Sequence, residues 1–384
     1  MIRDPTPSRS ACAVGRFALV LAPMLLVSIT ATAADGIVQT EKGPVRIETL
    51  AKGLEHPWGM AFLPDGRILV TERTGRLRLI GPGGLEPEPI EGLPEITVYG
   101  QGGLLDVAVD PEFAHNQYVY LSYAAQGDDG TGTEVARGRF DGKRLHDVEV
   151  IFRATPKGDG GRHFGSRLVF DRQGRLYVTL GDRGDGPRAQ RLDDHAGSVI
   201  RIEADGKVPQ ANPFVGRSDA RAEIFSYGHR NVQGATLHPD TGELWAHEHG
   251  PQGGDELNVI RGGVNYGWPV ITYGVNYGIG TKIGEGTHKE GMAQPLYYWV
   301  PSISPSGMTF YTADRFPQWR GNIFLGSLKF SQLVRLEMDG ERVVHEERLL
   351  EDTLGRIRDV RQGPDGYLYL LTDESNGQLA RLRV

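Results

Sequence analysis

The sequence has very little cysteine, no excess of positive charge and no long helical pattern. Among its 384 residues only Cys12 is a cysteine, and it precedes an apolar N-terminal segment. A chain cleaved after that segment has no thiol, which excludes disulfide bonds, thiolate catalysis and cysteine-bound metals. The formal net charge is -7, which argues against nucleic acid as a partner.

Residues 1–33 have the pattern of an export signal. Several arginines give a positive flank, residues 17–29 form a short apolar core, and Ala31–Ala33 match a small-residue cleavage site. An N-terminal membrane anchor is the alternative. We predict a signal peptide over residues 1–33 and a mature periplasmic protein that is not stably inserted in a membrane once the signal is removed.

One pattern recurs six times in the remaining chain. It consists of an apolar alternating run, a turn rich in Asp, Pro and Gly, and a second apolar run. The 53 glycines and 23 prolines agree with many tight turns. The copies begin at Gly59, Leu104, Ser166, Gly234, Gly307 and Ile357. A third short strand follows several of these pairs, so each repeat predicts an antiparallel sheet.

Six such sheets predict an all-β fold, a six-bladed β-propeller of four-stranded antiparallel sheets, formed by residues 34–384 as a single domain. A β-sandwich or a solenoid is the rival arrangement. The last repeat ends one strand short at Val384, and the strand that begins at Val45 belongs to no complete repeat. Pairing these two ends would close the ring and remove an open sheet edge.

Polar side chains precede the first strand of most repeats. The innermost strands of a propeller all run the same way, so these residues should gather at one mouth of the central channel. They are His56 to Trp58, Gln101, His163, Arg230 with Asn231, and Arg356 with Arg358. With Lys329, the arginines predict a site for an anionic ligand, because guanidinium groups match carboxylates bidentately. His163 is the natural general base.

The segment from Ala246 to Pro269 is a second region dense in polar residues. Its two histidines, His247 and His249, lack an obvious third zinc ligand nearby. The carboxylates of Asp255 and Glu256, with neighbouring backbone carbonyls, are better suited to a hard cation such as calcium. An ordinary acidic turn is the alternative.

Several long motifs occur in a fixed order along residues 40–384. They are GQGGLLDVAVDPEF, RHFGSRLVF, YVTLGDRGD, SYGHRNVQG, HEHGPQGGDELN, NYGWP and GRIRDV. In these motifs the sequence resembles the soluble quinoprotein sugar dehydrogenases, especially the periplasmic aldose sugar dehydrogenase branch. The resemblance implies a six-bladed propeller, a pyrroloquinoline quinone cofactor and calcium. A planar cofactor with three carboxylates would explain the basic cluster.

The resemblance also implies roles for individual residues. The anomeric hydroxyl of an aldose is oxidised to a lactone by hydride transfer to the quinone, with His163 as base, Asp182 orienting it and Arg230 stabilising negative charge. The implied cofactor contacts are Gln101, Arg230, Asn231, Tyr277, Lys329, Arg356 and Arg358. The implied calcium ligands are the carbonyls of Gly250 and Pro251, with Glu256 and the Tyr266 carbonyl at a second, structural site.

Substrate, acceptor and assembly are less constrained. The glucose-specific members of the family have Gln where His249 stands, and they carry longer loops, so we expect broader aldose specificity and a monomer. A quinone or a small cytochrome is the expected electron acceptor. Two other functions stay open: a calcium-dependent sugar lactonase, which needs more carboxylates at the mouth, and a non-catalytic binding propeller, which leaves the converging Arg, Lys and His unexplained.

Overall fold

Twenty-five β-strands make up most of the regular structure in the computed structural model, which describes residues 36–384. The predicted signal peptide lies outside these residues. One helical turn, α1 (Phe113–Asn116), and two short 3-10 segments, Gly186–Gln190 and Pro317–Trp319, interrupt the strands. Within the described range, no helix has the length and apolar character required to cross a bilayer.

The strands form six antiparallel sheets in chain order. The chain starts with the hairpin β1 (Ile37–Thr40) and β2 (Gly43–Leu54). Blade one contains β3 (Pro57–Phe62), β4 (Ile68–Glu72), β5 (Arg76–Gly81) and β6 (Gly84–Leu85). Blade two contains β7 (Leu104–Val109), β8 (Tyr118–Gly127), β9 (Gly130–Phe140) and β10 (Leu145–Arg153). Blade three contains β11 (Leu168–Phe170), β12 (Leu176–Thr179), β13 (Ser198–Ile202) and β14 (Ile224–Tyr227).

The remaining blades follow the same plan. Blade four contains β15 (Val232–Leu237), β16 (Leu244–Glu248), β17 (Asp255–Ile260) and β18 (Tyr297–Trp299). Blade five contains β19 (Pro305–Phe310), β20 (Ile323–Ser327), β21 (Gln332–Asp339) and β22 (Arg342–Leu349). The chain ends with β23 (Ile357–Gln362), β24 (Leu368–Thr372) and β25 (Gly377–Arg383). The predicted six-bladed propeller is confirmed.

The two ends of the described chain close the ring. Strand β25 pairs antiparallel with β2, with Arg383 opposite Arg46 and Ala380 opposite Thr49. The N-terminal strand thus supplies the fourth strand of blade six, as the sequence predicts. The structure adds β1 outside it, so this sheet has five strands rather than four. The outer edge of blade six is therefore formed by a strand from the start of the described chain.

Hydrophobic clusters fill the spaces between neighbouring blades. Leu69 and Leu77 of blade one pack with Leu104 and Val119 of blade two, and all four are fully buried. Similar clusters lie at the other blade junctions. Burial of each such side chain contributes about 1.5–3 kcal/mol. The packing fixes the blades radially and so fixes where the inner strands begin.

Charged side chains, rather than apolar ones, fill the centre of the ring. Arg167 Nη1 lies 3.3 Å from Asp106 Oδ1 and 3.1 Å from Asp359 Oδ1, and Arg361 reaches the same two carboxylates. We call these four residues the axial charge layer. Each of the two positive charges lies within ion-pair distance of both negative charges.

Glycines at equivalent inner-strand positions make room for the axial charge layer. A Cβ on Gly59 would lie 2.4 Å from Asp106 Oδ1, and one on Gly307 would overlap Asp359. Such distances are far below ordinary contact, so the two carboxylates occupy the space that side chains would take. The layer thus links the inner strands of different blades through charged side chains.

Candidate active site

A cavity of about 360 Å³ opens at the mouth where the inner strands begin. Its wall includes residues at or near strand ends in all six blades: Trp58, Gln101, His163, Arg230, Asn231, Ser302, Ser304, Arg356, Arg358 and Asp373. The structure therefore brings together the polar groups that the sequence places ahead of the inner strands. The cavity floor lies next to the axial charge layer, since Arg167 donates to the Arg358 carbonyl at 3.1 Å.

His163 is held tightly in this cavity. Its Nδ1 lies 2.6 Å from Asp182 Oδ1, and its backbone N–H donates to Gln101 Oε1 at 2.8 Å. Its φ of 57° is unusual for a residue other than glycine, and such strain clusters at functional sites. An ionised carboxylate at Nδ1 places the proton on that nitrogen, which leaves Nε2 as the acceptor.

Burial is the main influence on the charge of this pair. Desolvation lowers the pKa of His163 below its ordinary value, although the Asp182 carboxylate acts in the opposite direction, and the positive charges of Arg230 and Arg162 lower it further. For Asp182, burial raises the pKa most strongly, but the hydrogen bond and charge of His163, the Gly184 N–H and the charge of Arg230 together outweigh it and leave the pKa lowered. At neutral pH the pair is a neutral imidazole beside a carboxylate, which is the state of a general base.

In the polar run His229 to Asn231, one side chain stabilises the fold and the others contribute to the cavity. His229 is fully buried and contacts Glu248 at 2.9 Å. Arg230 extends to the cavity, where its Nη1 donates to the carbonyls of Gly250 at 2.7 Å and His249 at 3.1 Å. Asn231 Oδ1 accepts from the backbone of the His163 loop, at Gly165.

Arg358 and Arg356 contribute to the wall from blade six. Arg358 is buried and pairs with Asp373 at 2.7 Å, and Asp373 also contacts His56 Nδ1 at 2.8 Å. Arg356 lies 3.8 Å from the same carboxylate and is 46% exposed. One carboxylate thus faces two guanidinium groups.

Arg73 and Arg230 also add positive charge to the wall. Within residues 36–384, neither Arg73 nor Arg230 forms an ion pair, and both line the cavity. With Asp373 shared between Arg356 and Arg358, the cavity carries a surplus of positive charge inside an acidic protein. A surplus of fixed cations in a water-accessible cleft favours an anionic ligand.

The remaining two predicted cofactor contacts differ in position. Tyr277 lines the cavity from the long loop between β17 and β18 of blade four and is 68% exposed. Lys329 does not line it: the side chain is exposed, and its ammonium lies 5.1 Å from the centre of the Phe330 ring. Its neighbour Leu328 contributes to the wall instead.

A second, much smaller cavity lies behind Arg230, and oxygen ligands surround it. Glu248, Glu256, Gly250 and Tyr266 are among its lining residues. Burial raises the pKa of Glu256 well above its ordinary value, and the negative charge of Glu248 raises it further. The Tyr266 hydroxyl is engaged with the Val259 carbonyl at 2.5 Å. Glu248 is buried and Glu256 is half-buried, and a bound cation would relieve the repulsion between these two carboxylates.

Asp255 has a different role from the one its sequence position suggests. Its carboxylate accepts from the backbone of Gly250, Ile303 and Ser304 and from the Ser302 hydroxyl. These donors satisfy both oxygens, so Asp255 organises the loop instead of offering a free metal ligand. Gly250 lines both cavities and its carbonyl accepts from Arg230, whereas Pro251 is buried and is not part of the larger cavity's wall.

Comparison with known proteins decides the family. The model of the glucose/sorbosone dehydrogenase family matches residues 54–381. The chain belongs to this family. It is 45% identical to aldose sugar dehydrogenase YliI of Escherichia coli over 368 residues, which cover 94% of this chain and 97% of that protein. The resemblance drawn from the motifs is confirmed.

Solved structures of similar proteins agree. A crystal structure of a glucose dehydrogenase shares 50% identity, with a TM-score of 0.85 over 87% of this chain and 98% of that one. The pyrroloquinoline-quinone-bound aldose sugar dehydrogenase from Streptomyces coelicolor shares 28% identity, with a TM-score of 0.73 over 88% and 98% of the chains.

Sequence reasoning missed several residues at this family member's site. Asp373, Glu248 and Trp268 all contact predicted site residues. A signal for two of them exists in the repeats, because the second strand of four blades ends at or near an acidic residue, at Glu72, Asp182, Glu248 and Asp373. Trp268 lies in an insertion and has no counterpart in the other repeats.

Proposed function

We propose that this protein is a pyrroloquinoline-quinone-dependent aldose sugar dehydrogenase that oxidises the anomeric hydroxyl of an aldose to a lactone. The names of its relatives support a sugar dehydrogenase. The observation that carries the proposal is the His163–Asp182 pair, with 2.6 Å between nitrogen and oxygen; its imidazole lines the same cavity as Arg73 and Arg230, which form no ion pair within residues 36–384.

The cavity fits the cofactor in charge and in donors. Pyrroloquinoline quinone is a flat tricarboxylate, and Arg230, Arg356 and Arg358 present guanidinium forks to the cavity. Gln101 and Asn231 add amide groups, and the exposed Tyr277 ring adds a flat surface at the entrance. Lys329 would have to turn from its exposed position to take part.

His163 is the proposed base. The bound cofactor supplies the two-electron acceptor that takes the anomeric hydride. Nε2 of His163 removes the hydroxyl proton, and Asp182 holds Nδ1 and stabilises the imidazolium that forms. Arg230 places positive charge where negative charge develops on the acceptor. Each of these roles uses a side chain that is buried or anchored by hydrogen bonds, so little reorganisation is required.

Calcium is the proposed metal at two places. The carbonyls of Gly250 and Pro251 would hold one ion at the edge of the main cavity, where it would polarise the cofactor. Glu256 and the Tyr266 carbonyl would hold the other in the small cavity, and the structure suggests Glu248 as an additional oxygen ligand there. Arg230 already donates to the Gly250 carbonyl, so a cation there would share that oxygen with it.

Several features of the mature protein follow from the sequence and are part of the proposal. We propose export by the signal peptide at residues 1–33, a single catalytic domain over residues 34–384, a periplasmic location and a monomeric state. The electron acceptor is a quinone or a small cytochrome. A sugar lactonase is disfavoured, because among residues 36–384 the main cavity has Asp373 as its one carboxylate, and Arg358 neutralises it.

Reconstitution with a matched histidine pair tests the proposal. His163→Gln should lower turnover of glucose with a dye acceptor about 10²–10⁴-fold, while cofactor affinity is retained. His115→Gln changes an exposed histidine on α1 and should leave turnover unchanged. Wild-type protein should require both pyrroloquinoline quinone and calcium. Full turnover by His163→Gln, or by chelator-treated protein without cofactor, would contradict the proposal.

A further inference from the structure

Asp182 has a partner from another blade besides His163. The Trp268 indole Nε1 donates to Asp182 Oδ2 at 2.7 Å. Oδ1 faces His163 and also accepts from the Gly184 backbone at 2.7 Å. The carboxylate is buried, and within residues 36–384 no donor other than Trp268 reaches Oδ2. The hydrogen bonding of Asp182 Oδ2 therefore depends on the Trp268 indole N–H.

Trp268 is itself fixed from several sides. Its backbone N–H donates to the Gly228 carbonyl at 2.9 Å, and its carbonyl accepts from Gln190 Nε2 at 2.7 Å. The Arg230 guanidinium lies over the indole, 5.3 Å from the ring centre. A methyl group on Gly186 would lie 3.1 Å from Pro269 Cβ and Cγ and 3.3 Å from Trp268 Nε1, so the glycine leaves room for both side chains. The direction of the N–H is set by the protein alone.

We propose that Trp268 is a positioning residue for the His163 base and acts through Asp182. The inference rests on the proposed function, in which His163 takes the substrate proton. An ionised carboxylate held on only one oxygen can rotate, whereas the indole holds the second oxygen and keeps Oδ1 aligned with Nδ1. Partners one step removed from a reacting group fix its tautomer and orientation in this way.

The first test follows the imidazole of His163 directly, by histidine NMR of the full-length cofactor-free protein across pH. Trp268→Phe keeps a ring against Arg230 but removes the N–H. Without that donor Oδ1 is no longer held in line with Nδ1, and the Asp182 carboxylate raises the pKa of His163 less, so the titration midpoint of His163 should move to lower pH. The other charged groups that act on His163, Arg230 and Arg162, are unchanged. An unchanged midpoint would overturn the proposal.

Trp299→Phe is the matched control. The Trp299 indole also donates to a carboxylate, Glu346 Oε2, at 2.8 Å, but on the outer strand of blade four. Its loss should leave the His163 midpoint in place. In the reconstituted enzyme, Trp268→Phe should lower kcat about tenfold, with the sugar KM and the cofactor affinity unchanged within about twofold. A purely structural role would change affinity or stability instead of the titration.

A double-mutant cycle separates action through Asp182 from an independent effect. In the Asp182→Asn background, Trp268→Phe should produce no further loss of kcat; an equal loss in both backgrounds overturns the proposal. If Trp268→Phe fails to fold, Gly186→Ala, which crowds both Pro269 and the Trp268 indole by a few tenths of an ångström, should move the midpoint in the same direction by less. If His163→Gln retains turnover, the proposed function fails, but the NMR result still decides whether Trp268 acts on His163.

Discussion

The axial charge layer and the cavity above it contain similar residues and behave differently. In the layer, Arg167 and Arg361 each contact both Asp106 and Asp359, so every charge is neutralised inside the protein. A few ångströms away, the cavity wall has four arginines but one carboxylate. The same residue type is thus structural where its partners are built in, and it indicates a ligand where they are missing.

This contrast has a consequence for stability. Removing one member of a fully paired buried cluster costs much folding stability, because the charge left behind is neither paired nor solvated. Removing an arginine from the open cavity wall should cost little folding stability, because water already solvates that side chain. Substituting the same residue type in the two regions should therefore separate folding energy from ligand affinity.

The largest effect is expected in the axial charge layer. Arg167→Met leaves Asp106 and Asp359 with Arg361 as their one cationic partner in the layer, and should lower the free energy of unfolding by about 3–5 kcal/mol. Urea unfolding of the cofactor-free protein measures this. A loss below about 1 kcal/mol would show that water or rearrangement compensates the layer, and the contrast with the cavity would fail.

A smaller loss is expected when the space around the layer is filled. In Gly307→Ala the new Cβ would lie 2.6 Å from the Asp359 Cα, so the two inner strands must separate. Overpacking of this kind costs about 1–3 kcal/mol, again measured by urea unfolding. Gly83→Ala is the control, because no heavy atom lies within 4 Å of its Cβ position. Equal stability of the two variants would contradict the tight packing.

The cavity should show the reverse division of effects. Arg356→Met should change the unfolding free energy by less than about 1 kcal/mol, because its ion pair is partly exposed. The affinity for pyrroloquinoline quinone should fall about tenfold, or about 1.4 kcal/mol, from the loss of a charged donor to a carboxylate. Fluorescence titration measures the affinity. Normal affinity with reduced stability would place Arg356 with the structural charges.

The pH dependence of catalysis provides a test of the paired base. The pKa of His163 is lowered by burial, so the neutral, active form persists below the ordinary value of about 6.5. The value of kcat/KM should stay level as pH falls through 6.5, and should then fall about tenfold per pH unit once pH is below the lowered pKa.

Folding stability should follow the same group. The unfolded chain binds this proton at a higher pH than the folded chain does, so His163 contributes a loss of stability as pH falls below about 6.5. His163→Gln should remove that contribution. A kcat/KM profile with its midpoint above 6.5 would contradict the burial argument.

The fold was accessible from the sequence because its signals are local and repeated. Alternating strands and Asp-Gly turns mark each blade, and the unpaired strand at Val45 together with the short last repeat predict the closure that β2 and β25 make. The register at the start of the inner strands also predicts that His163, Arg230 and Arg358 meet in one cavity. These predictions need only the direction of each strand.

Contacts between different blades were not accessible in the same way. Whether Asp255 is a ligand or a loop anchor depends on donors at residues 302–304, almost fifty residues later. Trp268 reaches Asp182 from an insertion of irregular backbone, for which no period exists. The direction of an exposed, flexible side chain is equally beyond a sequence pattern.

Lys329→Met is expected to have the smallest effect on cofactor affinity. It compares an exposed lysine with the arginines of the cavity wall. Its ammonium faces solvent and Phe330, not the cavity. Lys329→Met should leave stability unchanged and lower cofactor affinity less than Arg356→Met does, because ordering a long exposed side chain offsets part of its attraction for a carboxylate. The two titrations should be run side by side at low and high salt. A loss larger than that of Arg356→Met would mean that Lys329 turns inward when the ligand binds, and that the cavity gains a cation which the ligand-free wall does not hold.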